Sequence, residues 1–318
     1  MVGPLSYLGG KNRIAQKIIS LIPEHNCYIE PFCGGAQVFF HKEPSQVEIL
    51  NDLDEEVFNF LRVCQLHHQE LVRYLQFCTA SRKWFELFQK QDPKTLSDIQ
   101  RAARFFYLQK NCYGGLITRK NFSVSVQDGS NYNPYRIPMV LHLAHERLLQ
   151  VQLECLPYQE ILRRYDRPTT FFYLDPPYFG LPYYKFNFTE ENYVELANLL
   201  KTLKGRFLLS LNDRPEVREI FGGFKIHGLT FSYSSQRKAG KVYKEVLISN
   251  YSLPMETING GPPGQEKAET APTHSPQDLK NPDAAAAHQN IGESQSDVQG
   301  MAASGDRSPE PGAGNRAA

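Results

Sequence analysis

The sequence predicts an α/β fold, a largely parallel sheet interrupted by a long helical insertion, and three observations predict it. Apolar runs that stop at acids read as buried strands whose carboxyl ends carry polar groups: Phe171–Leu174 before Asp175, and Val47–Leu50 before Asn51-Asp52. A third such run, from Cys27, ends in a glycine turn at Cys33-Gly34-Gly35 that feeds a helical pattern over Gln37–His41. From about Glu55 to about Cys155 the alternation of strand and helix lapses.

Taken in order, Tyr7-Leu8-Gly9-Gly10-Lys11 is a glycine-rich turn leading into Ile14, Ile18, Leu21 and Ile22 at helical spacing, stopped by Pro23. Asp52 lies eighteen residues after Gly34. A glycine turn after one strand and an acid at the end of the next is how α/β folds hold a nucleoside, the carboxylate accepting from ribose hydroxyls. No G-x-G-x-x-G is present, so a nucleoside without a pyrophosphate fits better.

Val57, Phe60, Leu61 and Cys64, then Leu71 and Leu75, continue as helices. From Arg101 to Arg147 seven basic residues face only Asp128 and Glu146, interleaved with Phe105, Phe106, Tyr107, Tyr113, Phe122, Tyr132 and Tyr135. That mixture suits nucleic-acid contact, and it equally suits a helical subdomain whose core is made of those rings. His142, His145 and Glu146 share a predicted helix, and with no third ligand apparent they read as ordinary histidines.

Asp175-Pro176-Pro177-Tyr178 ends the Phe171 strand with a fixed backbone, a carboxylate and a ring at the rim of the sheet, a rigid half-polar face for a flat, amine-bearing ring. Thr189 then caps a helix carrying Leu196, Leu199, Leu200 and Leu203. Strands over Arg206–Leu211, Lys225–Phe231 and Val242–Asn250, with a helix over Pro215–Phe221, complete the sheet, and Ser232–Lys241 forms a basic hairpin loop.

The 318 residues are 41% hydrophobic and 12% aromatic, enough for a sizeable core. Pro254–Ala318 has no Phe, Tyr or Trp and predicts a disordered tail. The tail holds 4 Lys and Arg against 9 Asp and Glu, which leaves 31 basic and 25 acidic residues before it, a net +6 that permits a polyanionic partner. Six cysteines without C-x-x-C or zinc spacing suggest reduced thiols in a cytoplasmic protein. No signal segment or membrane-spanning run is expected.

In combination these pieces resemble the Dam-like DNA adenine N6-methyltransferases, in which a cofactor motif, a target-recognition insert and a D-P-P-Y tetrad follow in that order. Tyr7-x-Gly9-Gly10-Lys11, Glu30-Pro31-Phe32-Cys33-Gly34-Gly35, Asn51-Asp52 and Asp175–Tyr178 carry the likeness, with Asn111–Leu116, Phe188-Thr189 and Lys244–Asn250 as further similar stretches. The resemblance implies a Rossmann-like S-adenosylmethionine-dependent methyltransferase sheet with a mostly helical DNA-recognition insert. It implies domains at 1–57 and 155–253 (catalytic), 58–154 (insert) and 254–318 (tail).

S-adenosyl-L-methionine is the implied cofactor, contacted by Tyr7, Lys11, Phe32, Gly34, Asp52 and Asp175. Asp175, Pro176 and Tyr178 are the implied catalytic residues, and double-stranded DNA is the implied partner, with candidate contacts at Tyr113, Arg119, Lys120, Arg136, Arg237 and Lys238. No metal and no membrane partner is expected, and no oligomeric state is implied. Ala36 stands where many relatives have glycine and Gly114 where Dam has asparagine, so the GATC specificity of Dam is not carried over.

An exocyclic amine whose lone pair is delocalised into its ring is a poor nucleophile. A carboxylate at Asp175 and a carbonyl at Pro176 accepting its two hydrogens favour a pyramidal nitrogen, and Tyr178 offers a stacking face for a base rotated out of the duplex. Cytosine N4 is the alternative target amine. An RNA base or protein amide, and a DNA-binding module with a decayed cofactor site, are weaker alternatives.

Overall fold

The computed structural model describes residues 2–7, 10–116, 118, 120–124, 127, 129–232 and 242–254. Leu8 and Gly9 of the opening motif, Arg119, the loop with Arg237 and Lys238, and the predicted tail from residue 255 lie outside the described residues.

Helix α1 (Ala15–Ile19) precedes β1 (Cys27–Glu30), α2 (Gln37–His41) and β2 (Val47–Asn51). The insertion holds α3 (Glu55–Leu66), α4 (His68–Leu75), α5 (Arg82–Lys90), α6 (Asp98–Asn111) and α7 (Ile137–Leu148). After it come β3 (Gln152–Glu154), α8 (Tyr158–Tyr165), β4 (Thr170–Leu174), α9 (Glu190–Lys201), β5 (Arg206–Asn212), α10 (Pro215–Ile220), β6 (Lys225–Ser232) and β7 (Val242–Ser249).

The strands form one sheet in the order β3-β2-β1-β4-β5-β7-β6, parallel from β3 to β5, with β7 antiparallel to both β5 and β6. β4 is buried at every position because helices cover both faces of the sheet. Phe171 and Tyr173 join the core shared with the insertion, while Phe172 and Leu174 join the core under α8, α9 and α10. Ile29 pairs with both Ile49 and Phe172, so the carboxyl ends of β1, β2 and β4 reach one rim together. β7 enters from the opposite direction and sets Glu245 against Asn212 at the end of β5.

α6 is anchored by a capping box between Ser97 and Gln100 and runs through the middle of the insertion. Phe105, Phe106, Tyr107 and Tyr132 are buried there, so these rings make a core and are closed to bases. The insertion's basic residues are partly turned inward as well. Arg101 pairs with Glu56 at 2.5 Å, Arg104 donates to the Phe88 carbonyl at 2.7 Å, and Arg147 grips Glu48 of β2 at 2.5 and 2.8 Å.

His68 stacks on His145 at 3.9 Å between ring centroids and lies 5.6 Å from His142, a neighbour the sequence did not disclose. Even so, no group of three or more His, Cys, Asp or Glu among the described residues is arranged to hold a metal ion. All six cysteines are free thiols, and among the described residues no helix is long and apolar enough to cross a membrane.

Candidate active site

One cleft at the sheet rim has Tyr7, Lys11, Phe32, Gly34, Asp52 and Asp175 all in its wall and a volume of about 350 Å³. β1 positions its first part. Gly34 follows the strand at φ +47°, and a Cβ there would stand 2.8 Å from the Tyr7 ring; at Gly35 it would stand 2.9 Å from the Tyr7 Cβ. Tyr7 is therefore seated against a bare backbone, and the glycines are required for that approach. Ala36 takes the left-handed conformation too (φ 47°, ψ 39°) just before α2, a position where glycine carries no strain.

Asp52 sits beyond β2 with both carboxylate oxygens engaged by backbone. Oδ2 accepts from the Gly34 amide at 2.8 Å and Oδ1 from the Asp54 amide at 2.9 Å. Each oxygen has a lone pair to spare, so the group can still accept from hydroxyls in the cleft. Burial outweighs the two amide bonds and pushes its pKa up to about 6. Asp54 caps α3 through the Glu56 amide and takes Lys185 at 2.8 Å, which ties the loop after β4 across the cleft mouth.

At the end of β4 the Asp175 carboxylate is held from two sides. Lys11 donates to Oδ1 at 2.7 Å and Oδ2 at 2.8 Å, and the Ser210 hydroxyl of β5 donates to Oδ1 at 3.0 Å. Lys11 also donates to the Tyr178 hydroxyl at 2.8 Å, and Tyr178 donates onward to Glu245 at 2.5 Å. Pro177 lines the cleft, whereas Pro176 is buried and is not among the lining residues, nor is Tyr178. The Pro177 carbonyl accepts from Tyr193 at 2.6 Å, which fixes the turn.

Aromatic rings form the remaining wall: Phe32 lies 5.3 Å from Tyr158 and 5.7 Å from Phe188, in tilted and edge-on pairs. Glu30 is fully buried behind the glycine turn, accepting from Tyr28 at 2.7 Å and the Phe39 amide at 2.8 Å, and burial raises its pKa to about 8. It joins the start of α2 to the end of β1.

The candidate DNA contacts are spread differently. Arg136 is exposed at the start of α7. Lys120 places its amine 5.1 Å from the Phe105 ring centre, and burial lowers its pKa to about 8. Tyr113 lies in the single turn Tyr113–Gly115, and its side chain is outside the described residues. Ser210, Glu30 and Glu245 were not read as site residues from the sequence. Ser210 carries no local signal, whereas an acid that follows a buried apolar run, as Glu30 does after Tyr28-Ile29, is one.

Residues 7–234 match the family described as D12 class N6 adenine-specific DNA methyltransferase. Among characterised relatives, the Type II methyltransferase M.CviBI of Paramecium bursaria Chlorella virus NC1A is 26% identical over 260 residues, spanning 78% of this chain and 98% of that protein. The DNA adenine methylase of Escherichia coli K12 is 26% identical over 241 residues, spanning 70% of this chain and 85% of its own. The DNA N-6-adenine-methyltransferase of Escherichia phage P1 is 26% identical over 243 residues, 70% of this chain and 32% of that longer protein. With its acid, lysine and glycine turn gathered in one cleft, the chain belongs to the D12 class N6 adenine-specific DNA methyltransferases.

Proposed function

We propose that this protein methylates N6 of adenine in double-stranded DNA at a specific sequence, acting on a base rotated out of the helix. Family membership supports adenine N6 over cytosine N4 as the target amine. The cofactor is S-adenosyl-L-methionine, which supplies an electrophilic methyl group on a sulfonium. The cleft suits it: a side-chain-free turn at Gly34-Gly35, an acceptor at Asp52 for ribose hydroxyls, and rings at Phe32 and Phe188 for a nucleobase.

The observation that carries the reading is the Asp175 carboxylate, fixed by Lys11 and Ser210 in the same cleft as Asp52. Held at the rim, it accepts a hydrogen of the target amine and biases the nitrogen towards a pyramidal, nucleophilic geometry. Lys11 orients that carboxylate without occupying all of its lone pairs. Tyr178 contributes the ring against which the extruded base stacks. Residues 1–57 and 155–253 supply this chemistry, and 58–154 the contacts to the duplex. Tritiated methyl transfer to unmethylated duplex DNA tests the reading: transfer is expected from the intact protein and not from Asp175→Ala. Failure to label any DNA, or labelling as N4-methylcytosine, would overturn it.

A further inference from the structure

Glu245 has a hydrogen-bonding pattern that a purely architectural role leaves unexplained. It is 6% exposed, midway along β7. Its Oε1 accepts from the Tyr178 hydroxyl at 2.5 Å, while Oε2 is buried with no hydrogen-bond partner among the described residues. The phenol oxygen in turn accepts from Lys11 at 2.8 Å, and the same ammonium donates to both oxygens of Asp175. A continuous chain therefore runs Asp175, Lys11, Tyr178, Glu245. Its direction is fixed, because an ammonium only donates and a phenol has one proton, here given to Glu245. Holding a ring requires no second buried charge; an amide would serve.

We propose that Glu245 is a positioning residue of the transfer site that also receives, through Tyr178 and Lys11, the proton the target amine gives up. The inference rests on the methyl-transfer reading above. As the amine nitrogen bonds to the methyl carbon, the carbon–sulfur bond breaks and its electron pair stays on sulfur. The nitrogen then carries one hydrogen too many. That proton passes to Asp175 and leaves its bonding pair on nitrogen; Tyr178 passes its hydroxyl proton to Glu245 and takes one from Lys11, and Lys11, now holding a free lone pair, takes the proton from Asp175. Asp175, Lys11 and Tyr178 end as they began, and Glu245 ends as a neutral acid.

The surroundings favour that end state. Burial holds the Glu245 carboxyl above the ordinary range against the opposing pull of Lys11 and Tyr178, and Asp175 raises it further. The other titratable groups facing it are the phenols of Tyr173 and Tyr184, both kept neutral by burial. Lys11 is the one cation among these groups. Discharge of a neighbouring sulfonium raises the proton affinity of every acid around it, at the moment a proton is released.

The test is single-turnover methyl transfer to duplex DNA as a function of pH, in the wild type, Glu245→Gln, Glu245→Asp and Tyr178→Phe. Wild-type rates are expected to fall as pH drops through the raised Glu245 pKa, since a protonated acceptor cannot act. Glu245→Gln is expected to lose about a hundredfold in rate and to lack that acid limb. Tyr178→Phe, which keeps the ring and cuts the chain, should share both effects with no further loss in the double variant, and Glu245→Asp should restore the limb. A second readout is the carboxyl carbon resonance of Glu245, assigned by its disappearance in Glu245→Gln. It should titrate above the ordinary glutamate range, and lower with S-adenosylmethionine bound than with S-adenosylhomocysteine. An unchanged pH profile in Glu245→Gln or Tyr178→Phe, or an ordinary titration, refutes the inference while leaving the methyl-transfer reading standing. A wild type that methylates no DNA removes both.

Discussion

Replacing Lys11 by Met isolates what the ammonium contributes, because the new side chain fills similar space without charge. Lys11 is 4% exposed and Asp175 21%, so the pair is largely out of water. Removing one member of a fully buried ion pair costs about 3–5 kcal/mol. Asp175 keeps the Ser210 bond and some solvent, which brings the expected stability loss to about 2–3 kcal/mol. With the cation gone, Asp175 loses the donor to both of its oxygens and is free to turn away from an amine hydrogen. Losing one preorganised electrostatic contact of this kind lowers a rate about 10²- to 10³-fold. Urea unfolding gives the first number, and rapid-quench methyl transfer gives the second. A Lys11→Met protein within threefold of the wild-type rate would show that the ammonium does not position Asp175.

Two further outcomes follow from buried carboxylates elsewhere. Asp52 must be ionised to accept strongly from ribose hydroxyls, and its pKa is raised to about 6, so cofactor affinity measured by calorimetry should weaken as pH falls through that value. Asp52→Asn should bind about 10- to 100-fold more weakly, with that dependence absent. Arg147→Ala removes a two-pronged bond to Glu48 and a guanidinium 3.7 Å from the Phe39 ring centre, a loss of about 3 kcal/mol in urea unfolding, since Lys42 still pairs with Glu48 at 2.7 Å. Burial pulls the Glu48 carboxyl up, but bonds from Arg147 and Lys42 overcome it and hold the pKa below the usual range. That stabilisation is complete above the unfolded value of about 4.3 and lost as pH falls through the lower folded one, so the gap between wild type and Arg147→Ala should narrow in strong acid to what the Phe39 contact contributes.

The rim of the sheet was legible because its physics is local. A strand covered on both faces must be apolar throughout, as Thr170–Leu174 nearly is, and the residue that ends it meets solvent or ligand. Asp175, Asp52 and the Gly34 turn followed from that alone. β3 escaped notice since three residues, none fully buried, leave no periodic trace. The insertion misled for a different reason. Composition counts charges and rings but not the direction they face, and Arg101, Arg147, Phe106 and Tyr107 all turn inward. Contacts between residues far apart in sequence were invisible, whether His68 with His145 or Tyr178 with Glu245, because antiparallel return of β7 and packing of α4 on α7 create them.

The inward basic residues also bear on how the two halves of the chain act together. Arg147 on α7 holds Glu48 on β2, four residues before Asp52, and Gln109 on α6 donates to the Ser6 carbonyl at 2.9 Å, next to Tyr7. Gly115 approaches the Ser6–Tyr7 backbone so closely that a Cβ would lie 3.0 Å away. The insertion is thus braced against the segments of the cleft that carry Tyr7 and lead into Asp52. Charges spent on that bracing are not available to phosphates. The helix that begins just after the exposed Arg136 fixes Glu48 near its end, so α7 joins an outward basic group to the strand that leads into Asp52.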